Sequence, residues 1–386
     1  MPSAIVCGLI GSFPLGGVAW DYGQYVLGLH RLGFEVTYLE DTGWMAYDPT
    51  TGEDGESFAH GARFVDDTLR ALDAALAGRF HIREMDGTTH GISPAELAEL
   101  IGSVDLFLNV SGAALLREEY LPARNKVLVD TDPGWNHYHR FPQQQELRAS
   151  RGQPPLDAHD HFLTYAERYG APDCPLPSMG WDWKPTRPPV VLDQWAPAEG
   201  ADRWTTVMMW EPYMQRIEHN GVTYGTKDVS FAEIEGLPSL TNAPLEVAVG
   251  GRAPRERWAQ RGWSVIDSTA ISRTPQDYRS YVSSSRGEFS VAKHVYVVTR
   301  SGWFSCRTVC YLAAGRPAVV QDTGFGELIG RHDGLLPWSD LAGARAALAA
   351  AEADYEAHAA GARALAAERF DAGLVLADLL DKVGVR

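Results

Sequence analysis

The first forty residues allow few folds. "SAIVCGLIGSF" is an apolar run closed by glycines, as a buried strand should be. "WDYGQYVLGLHRLG" follows, with Tyr22, Tyr25, Val26, Leu29 and Leu32 at helical spacing, and "FEVTYLED" then reads as a second strand. Strand, glycine-rich loop, helix, strand is the opening of a doubly wound α/β domain with parallel strands. "VDLFLNVSG" (104–112) and "NKVLVDTDPG" (125–134) continue it, each ending in small or acidic residues. Ligands of open parallel sheets sit beyond the carboxyl ends of the strands. Ser111, Gly112, Asp130 and Asp132 therefore occupy chemically useful positions.

The pattern then repeats. "RWTTVMMW" (203–210), "PLEVAVGG" (244–251), "GWSVID" (262–267), "VYVVT" (295–299) and "PAVVQD" (317–322) read as a second set of parallel strands with helical stretches between them. Before it lies "APDCPLPSMGWDWKPTRPPVVLDQW", rich in Pro and Trp. It reads as a linker packed between domains, because tryptophan is costly to leave in water. The chain's 386 residues are too many for one ordinary core. The expected organisation is a first Rossmann-like domain over 1–170, a linker over 171–202 and a second Rossmann-like domain over 203–365. A long, Ala-rich C-terminal helix (366–386) is expected to pack back toward the first domain. Two such halves face a central cleft, the natural ligand site.

The formal net charge of −16 argues against nucleic acid as the main partner, which would require a basic face. The four cysteines lack metal-ligand spacing and read as reduced thiols. "MPSAIVCGLIGSFPLGG" has no basic leader and is cut by Gly and Pro, unlike a signal peptide. No window reaches the roughly 18 apolar residues of a membrane span. A cytoplasmic protein is expected.

The stretch richest in chemistry is "TRSGWFSCRTVCYLAAGRPAVVQDTGFGE", Thr299 to Glu327. It reads as a loop at a strand's end, then a helix capped by Ser305 and closed by Gly315 with Pro317 beyond. Gly302 permits close backbone approach, and a helix N-terminus with Arg300 beside it suits a phosphate. The plainer reading is that Ser305 only caps and Trp303 and Phe304 only fill core. The loop resembles the nucleotide-sugar site of GT-B glycosyltransferases. Inverting members of the antibiotic-tailoring type carry "HCGWNSTLE" followed by a Gly–x–Pro strand and an acidic residue; "RSGWFSCRT" keeps Gly302, Trp303 and Ser305 in register.

The resemblance implies that Gly302 and Ser305 hold the donor diphosphate, with Gln321 and Asp322 toward the donor sugar. Arg300 stands where that family has a diphosphate-binding His, and Thr308 where it has a ribose-binding Glu. The spaced glutamates of retaining members are missing, which leans toward inversion. Upstream, Arg286 and Lys293 flank a short turn and are candidates to neutralise the leaving diphosphate, with Lys227 a further cleft cation and Trp210 near the sugar. Gly16 and Gly17, in "GSFPLGG", can approach a donor phosphate at a helix N-terminus. The general base is Asp21 by choice, with Asp132 and His137 as rivals, and Trp135 and Tyr138 could form an acceptor platform.

No metal pair stands out and no cofactor is expected beyond the nucleotide-sugar substrate. The implied partners are a nucleotide-diphosphate sugar and a small-molecule acceptor of specialised metabolism, in a monomer or homodimer with no nucleic acid or membrane contact. Two other readings remain: a nucleotide-sugar epimerase of the same fold, and a non-catalytic sugar-nucleotide-binding protein.

Overall fold

The structure, a computed structural model, describes the whole chain except residues 50, 56, 201, 211–215 and 386. Its first sheet contains β1 (Ser3–Cys7), β2 (Glu35–Glu40), β3 (Phe80–Arg83), β4 (Thr89–Gly91), β5 (Leu106–Val110), β6 (Lys126–Asp130), β7 (His161–Thr164) and β8 (Trp183–Pro185). The order is β8-β7-β6-β5-β1-β2-β3-β4, parallel except for the β4 edge. The chain winds outward from β1 in one direction and restarts at β5 in the other. That makes the β1/β5 boundary the switch point of a doubly wound sheet. Strands such as "LFLNV" are buried on both faces, so they read as near-continuous apolar runs rather than alternating ones, with the buried Asn109 amide satisfied by the Ala114 backbone and His159.

The second sheet contains β9 (Trp204–Trp210), β10 (Leu245–Gly251), β11 (Ser264–Asp267), β12 (Gly287–Ser290), β13 (Ala318–Gln321) and β14 (Leu335–Trp338). Its order is β11-β10-β9-β12-β13-β14, all parallel, with a switch point between β9 and β12. The architecture is α/β, with two Rossmann-like sheets facing one cleft.

The fourth strand of this sheet differs from the expected one. "VYVVT" is not a strand: His294–Val298 is helical, and "GEFS" is β12. β-branched residues favour strands, but here Val295 and Tyr296 are buried while Val298 is exposed, the one-sided burial of a short helix. Gly287, Glu288 and Ser290 make β12 look like a loop in sequence. Glu288 is nevertheless fully buried, because Arg307 pairs with it at 2.6 Å.

Six helices matter for the cleft and its support: α1 (Gly16–Arg31), α2 (Lys227–Ile234), α3 (Pro275–Ser284), α4 (His294–Val298), α5 (Cys306–Ala313) and α6 (Ala372–Val383). The Ala-rich tail is not one continuous rod. It runs as Leu341–Ala353 and Tyr355–Leu365, a wider turn over Ala366–Phe370, and then α6, which Asp371 caps through the Gly373 N–H. α6 lies on α1: Gly28 leaves room for Leu376, whose Cδ1 would be 2.4 Å from any Cβ placed there. Lys184 and Lys382 each donate to the other segment's backbone, at 2.8 Å to Lys382 O and 2.7 Å to Pro185 O.

The Pro/Trp segment is packed, and part of it belongs to the first sheet. Trp183 starts β8 and packs with Trp181 against Phe141 and Phe162. Trp195 instead meets Trp20 at 4.9 Å, in the cluster where α1 meets the second half.

Candidate functional site

The carboxyl ends of both sheets open on the same cleft, which contains a cavity of about 280 Å³. One wall is the start of α1, with Gly17 and Asp21. The other is built at the second switch point from the end of β9, the residues after β12, and the turn Trp303–Arg307 that starts α5. Lys227, Lys293 and Arg307 line it with positive charge.

Asp21 faces this cavity from the second turn of α1. The helix begins at Gly16, so Asp21 lies on the face that α5 approaches, where the Cys306 thiol donates to its carboxylate. Burial raises its pKa to about 6, and the Cys306 bond opposes that rise. The carboxylate is therefore largely ionised at neutral pH, yet basic enough to take a proton there. Burial likewise pushes the Cys306 thiol up, so it stays protonated.

Lys293 follows β12 and lines the cavity, but its ammonium is engaged by Asp132 of the opposite sheet. The Tyr296 hydroxyl donates to the same carboxylate. Asp132 thus holds the two halves together rather than presenting an idle base. Arg307 sits one residue past Cys306 in the first turn of α5. Its Nε donates to Glu288 at 2.6 Å and its Nη1 to the Val207 carbonyl at 2.7 Å. These bonds tie α5 to β12 and β9 and orient the guanidinium at the switch point.

The remaining expected site residues divide clearly. Trp303 lines the cavity, stacks on Tyr296 at 4.3 Å and donates from Nε1 to the Thr131 carbonyl at 3.0 Å. Ser305 caps α5 as expected, accepting from the Arg307 N–H at 3.2 Å, and also borders the cavity. Thr308 and Gln321 instead border a crevice of about 10 Å³, which has room for a water at most and not for a ribose or a sugar. Gln321 Oε1 accepts from the Ala292 N–H at 3.1 Å.

Several expectations fail for physical reasons. Arg286 and Lys293 do not form a pair. They bracket β12 at opposite ends, and Arg286 lies at the amino end, bound to Glu352 at 2.7 Å and stacked over Tyr355. Arg300 turns outward in a left-handed conformation (φ 45°) and is neutralised by Asp173 and Glu327. Gly302 donates its N–H to the Thr323 carbonyl at 2.8 Å, so it offers no phosphate contact. Its missing side chain makes way for Arg168 of the first half, whose Cγ would lie 2.8 Å from a Cβ.

Asp322 accepts from the Gly324 and Gly326 N–H groups and closes its own turn. Trp210 is core, edge-on to Trp258 at 4.9 Å. Gly16 and Gly17 spend their amides on Ser272, at 2.7 Å to its carbonyl and 3.1 Å to its hydroxyl. His137 is buried against Trp183 and 3.6 Å from Asp130, away from the cavity. Its pKa falls with burial. Trp135 lies beside Lys293, with the ammonium 5.7 Å from its ring. Tyr138 stacks on Tyr224 at 5.0 Å, within the structure rather than as an open platform.

Sequence reasoning passes over Arg307, Cys306, Tyr296 and Ser272. Arg307 has a usable signal: an arginine in the first turn of the helix that follows the Gly–Trp loop. Tyr296 is hidden by the mistaken strand. Among the described residues, no three His, Cys, Asp or Glu side chains come together as a metal site, and no helix is long and apolar enough to cross a membrane.

No protein-family model matches the chain, and no curated protein does. Solved structures do resemble it. HepE of Anabaena (Alr3699), in complex with UDP and glucose, has a TM-score of 0.56 at 11% identity over 100% of both chains. An α-glucosyltransferase in complex with UDP and a 13-mer DNA has 0.55 at 11%, also over 100% of both. AviGT4, a glycosyltransferase involved in avilamycin A biosynthesis, has 0.53 at 13%, over 99% of this chain and 97% of that one. At these identities the likeness is one of fold, and the fold is GT-B.

Proposed function

We propose that the protein is a glycosyltransferase that moves a sugar from a nucleoside-diphosphate sugar to a small acceptor. The observation that carries this reading is the cavity at the two facing switch points. A half-buried carboxylate, Asp21, lies on its first wall, and Lys227, Lys293 and Arg307 line the second. One wall suits a diphosphate and the other a hydroxyl nucleophile, as a displacement at an anomeric carbon requires. Two fold neighbours are described with UDP, which makes UDP the first nucleotide to test.

In this reading the diphosphate lies at the start of α5 against Lys293 and Arg307. Asp21 takes the proton from the acceptor hydroxyl. The oxygen bonds to the anomeric carbon as the carbon–oxygen bond to phosphate breaks, and the leaving diphosphate departs with its electron pair toward the cations. Protein cations, rather than a metal ion, balance that charge. A single displacement with Asp21 opposite the leaving group inverts the anomeric centre. The acceptor in this reading is a small molecule of specialised metabolism.

The test has two stages. Nucleoside diphosphates should raise the melting temperature, because a ligand bound only by the folded state stabilises it. UDP-glucose with a panel of hydroxylated acceptors should then yield glycosides, with the anomeric configuration read by NMR. If no nucleoside diphosphate shifts the melting temperature, the reading fails. Binding with no transfer to any acceptor would leave a sugar-nucleotide-binding protein, and a changed free nucleotide sugar would mark an epimerase.

A further inference from the structure

Arg140 is a guanidinium with no carboxylate partner among the described residues. It ends the helical turn Asn136–Arg140 that follows β6 and reaches the backbone just after β5 of the first sheet. Its Nη1 donates to the Ser111 carbonyl at 3.2 Å and its Nη2 to the Gly112 carbonyl at 3.4 Å. Those carbonyls turn toward it because Ser111 and Gly112 are both left-handed, with φ of 60° and 58°. A serine in that region is strained and persists only where its surroundings enforce it. Two weak bonds leave three of the five guanidinium N–H groups unused.

Aromatic rings flank it, and Tyr22, Asp132 and Asp130 act on it through space. Trp44, on the loop after β2, presents its ring 5.2 Å from the guanidinium carbon and is 38% exposed, so this flank is open to solvent. Phe13, on the loop after β1, meets Trp44 edge-on at 6.2 Å. The carboxylates that act on it are committed elsewhere: Asp130 to Asn136 and Thr164, and Asp132 to Lys293 and Tyr296. Desolvation lowers the Arg140 pKa. A fork of donors at the first switch point, beside a half-open aromatic ring and with the neighbouring carboxylates engaged by other residues, has the chemistry to take an anion.

We infer that the acceptor carries a fixed negative charge, a carboxylate or a phosphate, and that Arg140 binds it while the acceptor's apolar body lies against Trp44. This rests on the transferase reading, because it assigns the first half of the cleft to the acceptor. Asp132 both binds Lys293 and acts on Arg140 through space, so in this reading the two anion sites flank one ion pair.

The test is calorimetric titration of the intact protein, saturated with UDP so that the donor cations are occupied. The probes are 4-hydroxybenzoate, its neutral isostere 4-hydroxybenzamide, and inorganic phosphate. The benzoate should bind about ten-fold or more tighter than the amide, and Arg140→Gln should weaken it by about the same factor without changing the amide. Arg140→Lys should fall between the two. Binding of phosphate as well as benzoate would mark a phosphate-bearing acceptor, and benzoate alone a carboxylate. Equal binding of benzoate and benzamide, no anion binding at all, or an Arg140→Gln variant that melts earlier yet binds benzoate normally would overturn the inference and leave Arg140 as a brace for the Ser111 turn. UDP binding is scored separately. Its loss sinks the transferase reading, whereas its presence without anion binding sinks only this one.

Discussion

Lys293 of the second sheet's switch-point loop donates its ammonium to Asp132, which follows β6 of the first sheet, and so a cation that lines the cavity is already engaged by protein. If the donor diphosphate binds as proposed, it and Asp132 compete for the same ammonium. Asp132→Asn should therefore tighten UDP binding, by about three- to ten-fold for a partly exposed pair. It should also lower the melting temperature, because a bond between the halves is lost. Calorimetry with UDP checks the first effect. Weaker binding in Asp132→Asn would mean that Asp132 organises Lys293 for the phosphate instead of opposing it.

Asp21 has a different signature. Its folded pKa, about 6, lies above the ordinary carboxylate value. A raised acid pKa means that folding favours the protonated form, so the ionised group penalises the fold above pH 6, and the penalty fades as pH falls toward 4. Asp21→Asn should thus melt higher than the parent at pH 7.5, with the gap closing near pH 4. The same change should cut transfer by about 10²- to 10⁴-fold if Asp21 is the base. Parental transfer should fall as pH drops through about 6. A variant with unchanged turnover would move the base elsewhere.

Much of this was readable beforehand, and the misreadings share a cause. β1, α1 and β2 follow from apolar periodicity because each buries a full face or stripe. Ser305 follows from its place before a helix. What pattern alone does not carry is tertiary pairing. "GEFS" becomes a central strand only because Arg307, on another element, neutralises Glu288. The same Gly302 that marks a glycosyltransferase-like loop serves here to admit Arg168. Arg286 and Arg300 are cations in the right stretch of sequence, but Glu352, Asp173 and Glu327 had claimed them. Charges close in sequence are separated by the length of a strand once β12 lies between them.

The cations therefore provide a sharp contrast. Arg286→Ala and Arg300→Ala should leave the UDP dissociation constant within about two-fold, since Arg286 is held by Glu352 and Tyr355 and Arg300 by Asp173 and Glu327, and neither lines the cavity. Lys293→Ala removes a cleft cation and should weaken UDP about ten-fold or more, the usual scale of a charge-assisted phosphate contact. Titrations of the three variants under identical salt decide it. A loss in Arg300→Ala with none in Lys293→Ala would mean that the nucleotide lies along the outer loop near Arg300 and not in the cavity.

Gly302→Ala tests how the halves are held. The residue adopts φ 75°, and a Cβ would meet Arg168 at 2.8 Å from Cγ and 3.0 Å from the backbone nitrogen. The side-chain contact could relax, but the backbone one requires the Arg168 turn to retreat, and with it the Arg168 bond to the Arg300 carbonyl at 3.0 Å. The left-handed conformation itself adds about 1–3 kcal/mol of strain. The urea midpoint should fall accordingly. Because the Gly302 N–H is spent on Thr323 and not on a ligand, UDP affinity should change much less than in Lys293→Ala. A normal midpoint with lost UDP binding would reverse that assignment and return Gly302 to the diphosphate.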